Sequence, residues 1–375
     1  MSDFVSELRR QLRAAALREE HASAIGRGIA HVRYGLARPV LLPHPPTLAA
    51  AALALAALVA AIVVAGSGRD ATPKRMRVVA TVPLADAVGS LASGFAAAWV
   101  ADPSRGQVLR VEPRFRQIKA RIPVGGDPVV AAGAGAVWAL DARAQLGGGR
   151  RARDDIARVS RIDPRTSRVT SRVELRLPGG GSLTALDVEI LGGRPWAIGL
   201  EGALRIDTDG TRVEQFTHIV GLDASPLSVK GFGHTLWVLT RDERLLRFDL
   251  RTEARPGELP VRLPGAVGFL PTPAGPVLVS REGEVARAEP TRGRLAWRRK
   301  PGTGIGAPPL LVGSSVWVHV SDTAGRDRFV EFDLATGRTR SAVQLPEFGA
   351  SDSGTVGREL WITTLNGKVM VLRRR

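Results

Sequence analysis

A tryptophan between small or aliphatic neighbours recurs along most of this chain. The phrases are Ala98-Trp99-Val100, Val137-Trp138-Ala139, Pro195-Trp196-Ala197, Leu236-Trp237-Val238, Val316-Trp317-Val318 and Leu360-Trp361-Ile362. Between Trp237 and Trp317 the gap doubles, and Pro276-Val277-Leu278-Val279 stands at its middle. With that segment counted, the steps are 39, 58, 41, 41, 39 and 44 residues, giving seven units. A period of about 40–45 residues made of short strands is the spacing of β-propeller blades. The expected fold is therefore all-β: a seven-bladed β-propeller of four-stranded blades.

The unit from Asp127 to Leu175 shows how a blade is written. Pro128 to Ala132 reads as an inner strand of small residues, and Ala136 to Leu140 as a second strand whose tryptophan fills the space between sheets. Arg158 to Asp163 alternates as a third strand, Pro164 to Ser167 turns the chain, and Arg168 to Leu175 forms the outer strand. Six of the seven units end the third strand on an acid: Glu112, Asp163, Asp207, Asp249, Glu289 and Asp333. Such carboxylates accept hydrogen bonds from the N–H groups of the following turn, so they read as turn-makers rather than as a metal or acid–base set. The last unit lacks an outer strand after Lys368 to Leu372. Arg77 to Pro83 matches the outer strands of other units, such as Gln117 to Pro123, and is expected to complete the seventh blade and remove a free sheet edge.

The phrases VWALD, RVSRIDPRTSRV and FVEFDLATGRT resemble the repeats of YncE-like and virginiamycin B lyase-like seven-bladed propellers. Ala288 to Trp297 also resembles the A-x-D-x-x-T-G-x-x-x-W repeat of quinoprotein (PQQ-type) propellers. The resemblance covers about residues 76–375. It implies either a binding scaffold or a metal-assisted lyase with a histidine and glutamates around the channel. The repeats hold only His218, His234 and His319, none with a His-x-Glu partner, so no catalytic residue carries over. A quinoprotein site would call for calcium ligands and, commonly, a cysteine pair, and the chain has no cysteine. No catalytic set, metal or cofactor is expected.

Thr47 to Ala65 is an uncharged run of 19 residues, long enough to span a bilayer as a helix. More than 40 residues precede it, too many for the short basic head of a cleaved signal peptide. Seven arginines on its N-terminal side place that side in the cytoplasm. The expected organisation is a basic helical cytoplasmic segment (1–45), a transmembrane signal anchor (46–66), a linker (67–75) and the propeller (76–375). The protein is thus expected in the cell membrane, single-pass, with an extracytoplasmic propeller, in contact with lipid through residues 47–65.

The net charge of +17 raises nucleic acid as a partner. The basic residues are nearly all arginine, scattered singly, with no basic stripe interleaved with aromatics, so nucleic acid is disfavoured. Propellers present ligands on the loops from outer strand to next inner strand and from second strand to third. Polar residues expected there are Asp127, Arg150, Arg151, Arg153, Asp154, Asp155, Asp223, Arg241, Arg281, Asp322, Arg326 and Asp352. The long second step comes from an insertion, Arg143 to Ile156, carrying the cluster at 150–155. Together these features point to a binding module for a protein, peptide or envelope polymer. The alternative is a virginiamycin B lyase-like metal-assisted lyase or hydrolase with its site at the channel mouth.

Overall fold

The computed structural model describes residues 76–141, 156–180, 183–218, 226–251, 257–259, 262–346 and 349–374. They form seven antiparallel sheets arranged as blades, in the order the sequence repeats predict. β1 (Met76–Pro83) belongs to the last blade. Blade 1 is β2 (Leu91–Gly94), β3 (Ala97–Asp102), β4 (Gln107–Glu112) and β5 (Gln117–Pro123). Blade 2 is β6 (Pro128–Gly133), β7 (Ala136–Asp141), β8 (Arg158–Asp163) and β9 (Arg168–Glu174). Blade 3 is β10 (Ala185–Leu191), β11 (Arg194–Gly199), β12 (Gly202–Ile206) and β13 (Val213–His218). Blade 4 is β14 (Pro226–Phe232), β15 (Thr235–Thr240), β16 (Leu245–Asp249) and β17 (Gly257–Leu259). Blade 5 is β18 (Ala266–Leu270), β19 (Val277–Ser280), β20 (Val285–Glu289) and β21 (Arg294–Arg299). Blade 6 has a broken inner strand, β22 (Gly304–Ile305) and β23 (Leu310–Val312), beside β24 (Ser315–Ser321), β25 (Asp327–Asp333) and β26 (Thr339–Gln344). Its break falls at Pro308-Pro309, which have no N–H to give to a ladder. Blade 7 is β27 (Ala350–Val356), β28 (Glu359–Thr364) and β29 (Lys368–Arg374), with β1 as its outer strand.

The closure is as the sequence suggests. β1 runs antiparallel to β29 through seven registered pairs, from Met76 opposite Arg374 to Pro83 opposite Lys368. Every blade thus meets two neighbours, and each of the seven contacts has its own buried apolar cluster. The recurrent tryptophans sit in these clusters. Trp99 and Trp138 are fully buried, and each donates its indole N–H to the carbonyl five residues upstream, of Gly94 and Gly133 (both 3.1 Å). In blade 5 the equivalent place on the second strand is held by Val277, opposite Arg287. The tryptophan has moved to the outer strand, where Trp297 donates to the Leu334 carbonyl of blade 6 at 2.9 Å.

The third strand explains part of the arginine excess. Trp99, Trp138, Trp196 and Trp237 lie directly opposite Arg110, Arg161, Arg205 and Arg247. Arg110, Arg205 and Arg247 stack over their ring at 5.6–6.0 Å from its centroid. A guanidinium covers an indole face while its edge stays solvated, which a lysine does less well. The strand-end acids act at their own turns. Asp163 accepts from the Arg165 N–H (2.8 Å), Asp207 from Thr211 (2.7 Å), Asp249 from Arg251 (2.9 Å) and Asp333 from Thr336 (2.8 Å). Glu289 differs, pairing instead with the side chains of Arg292 and Arg294.

Among the described residues no helix is long and apolar enough to cross a membrane. The expected anchor at 47–65, its flanking segments and the cluster at 150–155 lie outside the described residues, as does Asp223.

Candidate functional site

The meander gives the ring two faces. The upper face carries the turns from fourth strand to next first strand and from second to third; the lower face carries the other turns. The upper end of the axis opens into a recess of about 400 Å³, lined by residues of blades 1, 2, 3, 4, 6 and 7. At its floor lie three carboxylates and one ammonium, contributed by inner strands that otherwise carry small or apolar residues: Asp187 and Glu189 on β10, Lys230 on β14 and Asp352 on β27.

A recurring irregularity sets this arrangement. The pairing of first with second strand slips by one residue at the upper end of β10, β14, β18 and β27, between Ala185 and Asp187, Pro226 and Ser228, Ala266 and Gly268, and Ala350 and Asp352. A β-bulge re-aims the side chains that follow it. In β10 and β14 the extra residue is Leu186 or Leu227, both left exposed on the upper face. In β10 and β27 the residue after it is the acid of the recess.

The Lys230 ammonium lies 2.5 Å from Asp187 Oδ2 and 3.5 Å from Glu189 Oε1. Glu189 Oε2 accepts the backbone N–H of Gly231 at 2.5 Å. Glycine leaves room for this contact: a Cβ at 231 would fall 2.0 Å from a Leu191 methyl and 2.5 Å from that same oxygen, so both side chains would have to move aside. Asp352 accepts the N–H of Leu91 from blade 1 and of Ser353, both at 2.8 Å. Asp187 accepts its neighbour's N–H, that of Val188, at 2.8 Å. Below the floor a second recess of about 500 Å³ is more apolar, lined by Phe232, Leu270, Pro271 and Leu310 among others. Glu189 and Lys230 line both recesses, so they divide the axis into a charged upper and an apolar lower part.

Burial pushes the Glu189 carboxyl up to about 7, with Lys230 partly opposing it. Burial likewise raises Asp352 to about 6, against the two N–H bonds it accepts. Burial opposes the charge on Lys230, but Asp187 and Glu189 outweigh it and hold the ammonium protonated. With all groups ionised the cluster carries two net negative charges. The folded state therefore keeps a proton on Glu189 over the range, from 4.5 to about 7, where the unfolded chain has lost it. Stability from this group is present at low pH and lost as pH rises through about 7, by up to about 3 kcal/mol. Asp352 acts in the same sense up to about pH 6. The turn carboxylates act oppositely. The N–H groups of Arg165 and Thr336 hold Asp163 and Asp333 below the usual range, and that stability is lost as pH falls through their depressed values. The melting temperature should peak near pH 5 and decline toward pH 8. Glu189→Gln should flatten the alkaline limb; an unchanged limb in that variant would count against the assignment.

The remaining sequence-derived candidates are dispersed around the same face. Asp127 precedes β6, and Arg241 and Arg281 lie exposed on the second-to-third turns of blades 4 and 5. Asp322 accepts the N–H of Ala324 and of Arg326 and the Arg326 Nε, all at 2.9 Å, so this pair closes its own turn. Asp352 is not on a loop as expected. It sits within β27 at the axis, because the strand begins two residues earlier. Asp187, Glu189 and Lys230 were not anticipated. Their only sequence signal is charge inside short inner strands, ALDVEIL and PLSVKGF, whose neighbours are small or apolar.

The histidines do not assemble a reactive centre with this cluster. His234 lies at a lower-face turn, against Gly192, and His218 ends β13. No histidine has a His-x-Glu partner, but the fold gives His319 an acidic neighbour of another kind: its Nε2 lies 3.1 Å from Asp327 Oδ2. The two residues face each other diagonally across the β24–β25 hairpin, a relation hidden by their spacing in sequence. Burial lowers the His319 pKa despite Asp327, and the contact is poorly aligned for a hydrogen bond. Both side chains are almost wholly buried, which keeps them from any substrate. Among the described residues no group of three or more His, Cys, Asp or Glu is placed to hold a metal ion.

The fold is similar to solved propellers. The WD40 β-propeller domain of Doa1 superposes with a TM-score of 0.60 at 9% identity, over 80% of this chain and 98% of that one. BamB from Moraxella catarrhalis superposes with a TM-score of 0.52 at 12% identity, over 80% of this chain and 99% of that one. No protein-family model matches the sequence, and no curated protein matches it. At such identities the likeness is one of fold.

Proposed function

We propose that this protein is a membrane-anchored, extracytoplasmic propeller of the YncE-like kind that binds a peptide or protein segment over its upper face. The observation that carries the reading is the axial recess, with three carboxylates set against one lysine. Around it the upper face exposes Leu186, Leu200, Leu227 and Leu365. A carboxylate-floored hollow ringed by aliphatic side chains complements a segment that alternates basic and aliphatic residues. The basic side chain would meet Asp352 and Asp187, and the aliphatic ones would cover the leucines. β7 ends and β8 begins on this same side of the ring, and the sequence between them, 142–155, is rich in arginine and aspartate. Two further observations support binding over catalysis. The two hydroxyls of the recess wall are engaged structurally, that of Ser351 with the Val88 carbonyl and the Thr363 hydroxyl, and that of Ser90 with the Val130 N–H. Lys230 is held charged, which removes it as a base or nucleophile.

A fluorescent Leu-Lys-Leu-Lys-Leu peptide is the appropriate probe. Its binding should weaken roughly tenfold or more in the Asp187→Asn/Asp352→Asn double variant, since each lost charge contact is worth about 1 kcal/mol or more. The glutamine analogue of the peptide should bind poorly to the unaltered protein. Equal affinity for the two peptides, or no loss in the double variant, would end the reading.

A further inference from the structure

The lower face differs from the upper in both of its exposed side-chain classes. Among the described residues, the exposed phenylalanines, Phe95, Phe115 and Phe232, all lie on lower-face turns or strand ends, while the exposed leucines all lie on the upper face. Phe115 is 60% exposed at the turn between β4 and β5, with the Arg114 guanidinium and the Lys119 ammonium over its ring at 5.3 and 6.0 Å. Beside it a groove of about 980 Å³ runs across blades 6, 7 and 1. Five arginines line it, Arg114, Arg340, Arg358, Arg373 and Arg374, against one acid, Glu359. Glu359 is already shared by Arg116 and Arg373, while Arg340 and Arg374 are paired with Asp333 and Glu331. Among the described residues Arg358 has no hydrogen-bond or ion-pair partner. The Arg114 guanidinium has the face of Phe115 and, among the described residues, no carboxylate. The groove thus has uncompensated positive charge next to an exposed aromatic ring.

The chain joins the ring in this same groove, because Met76 is one of its lining residues. Ten residues, 66–75, separate Met76 from the end of the uncharged run at Ala65. Fully extended, they reach at most about 35 Å. A bilayer holding that run would lie within this distance of the lower face. Phenylalanine and arginine suit that position, the ring lying at the headgroup level and the guanidinium forming paired hydrogen bonds to phosphate.

We infer that the lower face between blades 6, 7 and 1 is a docking surface for anionic phospholipid headgroups, with Arg114 and Arg358 as phosphate contacts and Phe115 as the interfacial wedge. The ring would then rest on the membrane with its axial recess turned outward. This inference deepens the membrane reading and rests on it. Two measurements on the full chain separate them.

Flotation with neutral phosphatidylcholine vesicles tests the anchor, and the chain should float with them. Hydrogen exchange of the full chain in nanodiscs tests the face. With about one-third phosphatidylglycerol, the turns at 113–116 and 357–358 should exchange severalfold more slowly than in neutral discs. The upper turns at 241–244 and 281–284 should not change. The protection should vanish in Arg114→Glu/Arg358→Glu and at about 0.5 M salt, where screening reaches only a few ångströms. The variant should keep its melting temperature, because both side chains are exposed. Failure to float on neutral vesicles removes the anchor; flotation that then needs phosphatidylglycerol and both arginines still supports the face. Equal exchange in the two kinds of disc, protection of the upper face, or capture of a duplex DNA oligonucleotide by the same arginines would overturn the inference.

Discussion

Lys230→Met is expected to lower stability by about 3 kcal/mol at pH 8, a fall in melting temperature of several degrees, because it strands half-buried carboxylates without their cation. The cost arises from what is left behind. Asp187 loses a 2.5 Å ion pair, and Glu189 loses the attraction that partly offsets its burial. Glu189 can then relieve the repulsion only by taking up a proton. The deficit should therefore shrink on moving to pH 5, and adding Asp187→Asn should recover part of it at pH 8. Thermal melts of the single and double variants at the two pH values provide the check. A deficit independent of pH would mean that Lys230 matters through its packing alone.

The second large effect concerns closure. A chain beginning at Leu84 should be less stable than one beginning at Ala71 by about 4 kcal/mol or more. The deletion removes the outer strand of blade 7 and uncovers β29. It strips Met76 from the cluster between blades 6 and 7 and Val79 and Val82 from the cluster between blades 7 and 1. Each such side chain contributes up to about 1.5–3 kcal/mol through burial, and an open sheet edge invites association between copies. Denaturant melts, with light scattering for aggregation, would measure both effects. Equal midpoints would show that the last blade holds without its outer strand.

The architecture was legible in the sequence for a physical reason. A blade must fill a wide gap between sheets, and a tryptophan on the second strand does so at a fixed place, so the period survives although little else repeats. Strand alternation and turn-making acids then locate the third and fourth strands, and the unpaired Arg77 to Pro83 locates the closure. The axial site was not legible. Asp187 and Lys230 are 43 residues apart, and Asp352 belongs to a blade on the other side of the axis. What brings them together is a one-residue bulge at the top of several inner strands, which strand periodicity does not reveal. Asp352 looked like a loop residue for the same reason. Arginine misled in the opposite direction. In the sequence it is scattered singly with no pattern, whereas Arg110, Arg205 and Arg247 are the covers of buried indoles.

The closing strand also has a mechanical meaning. β1 starts at the lower face with Met76 and runs toward the upper one, so a pull on the preceding residues, directed away from that face, acts along the strand. Its seven registered pairs with β29 are then loaded together in shear, rather than peeled apart one at a time. A ring tethered through its outermost strand in this direction resists being dragged open by whatever its other face holds.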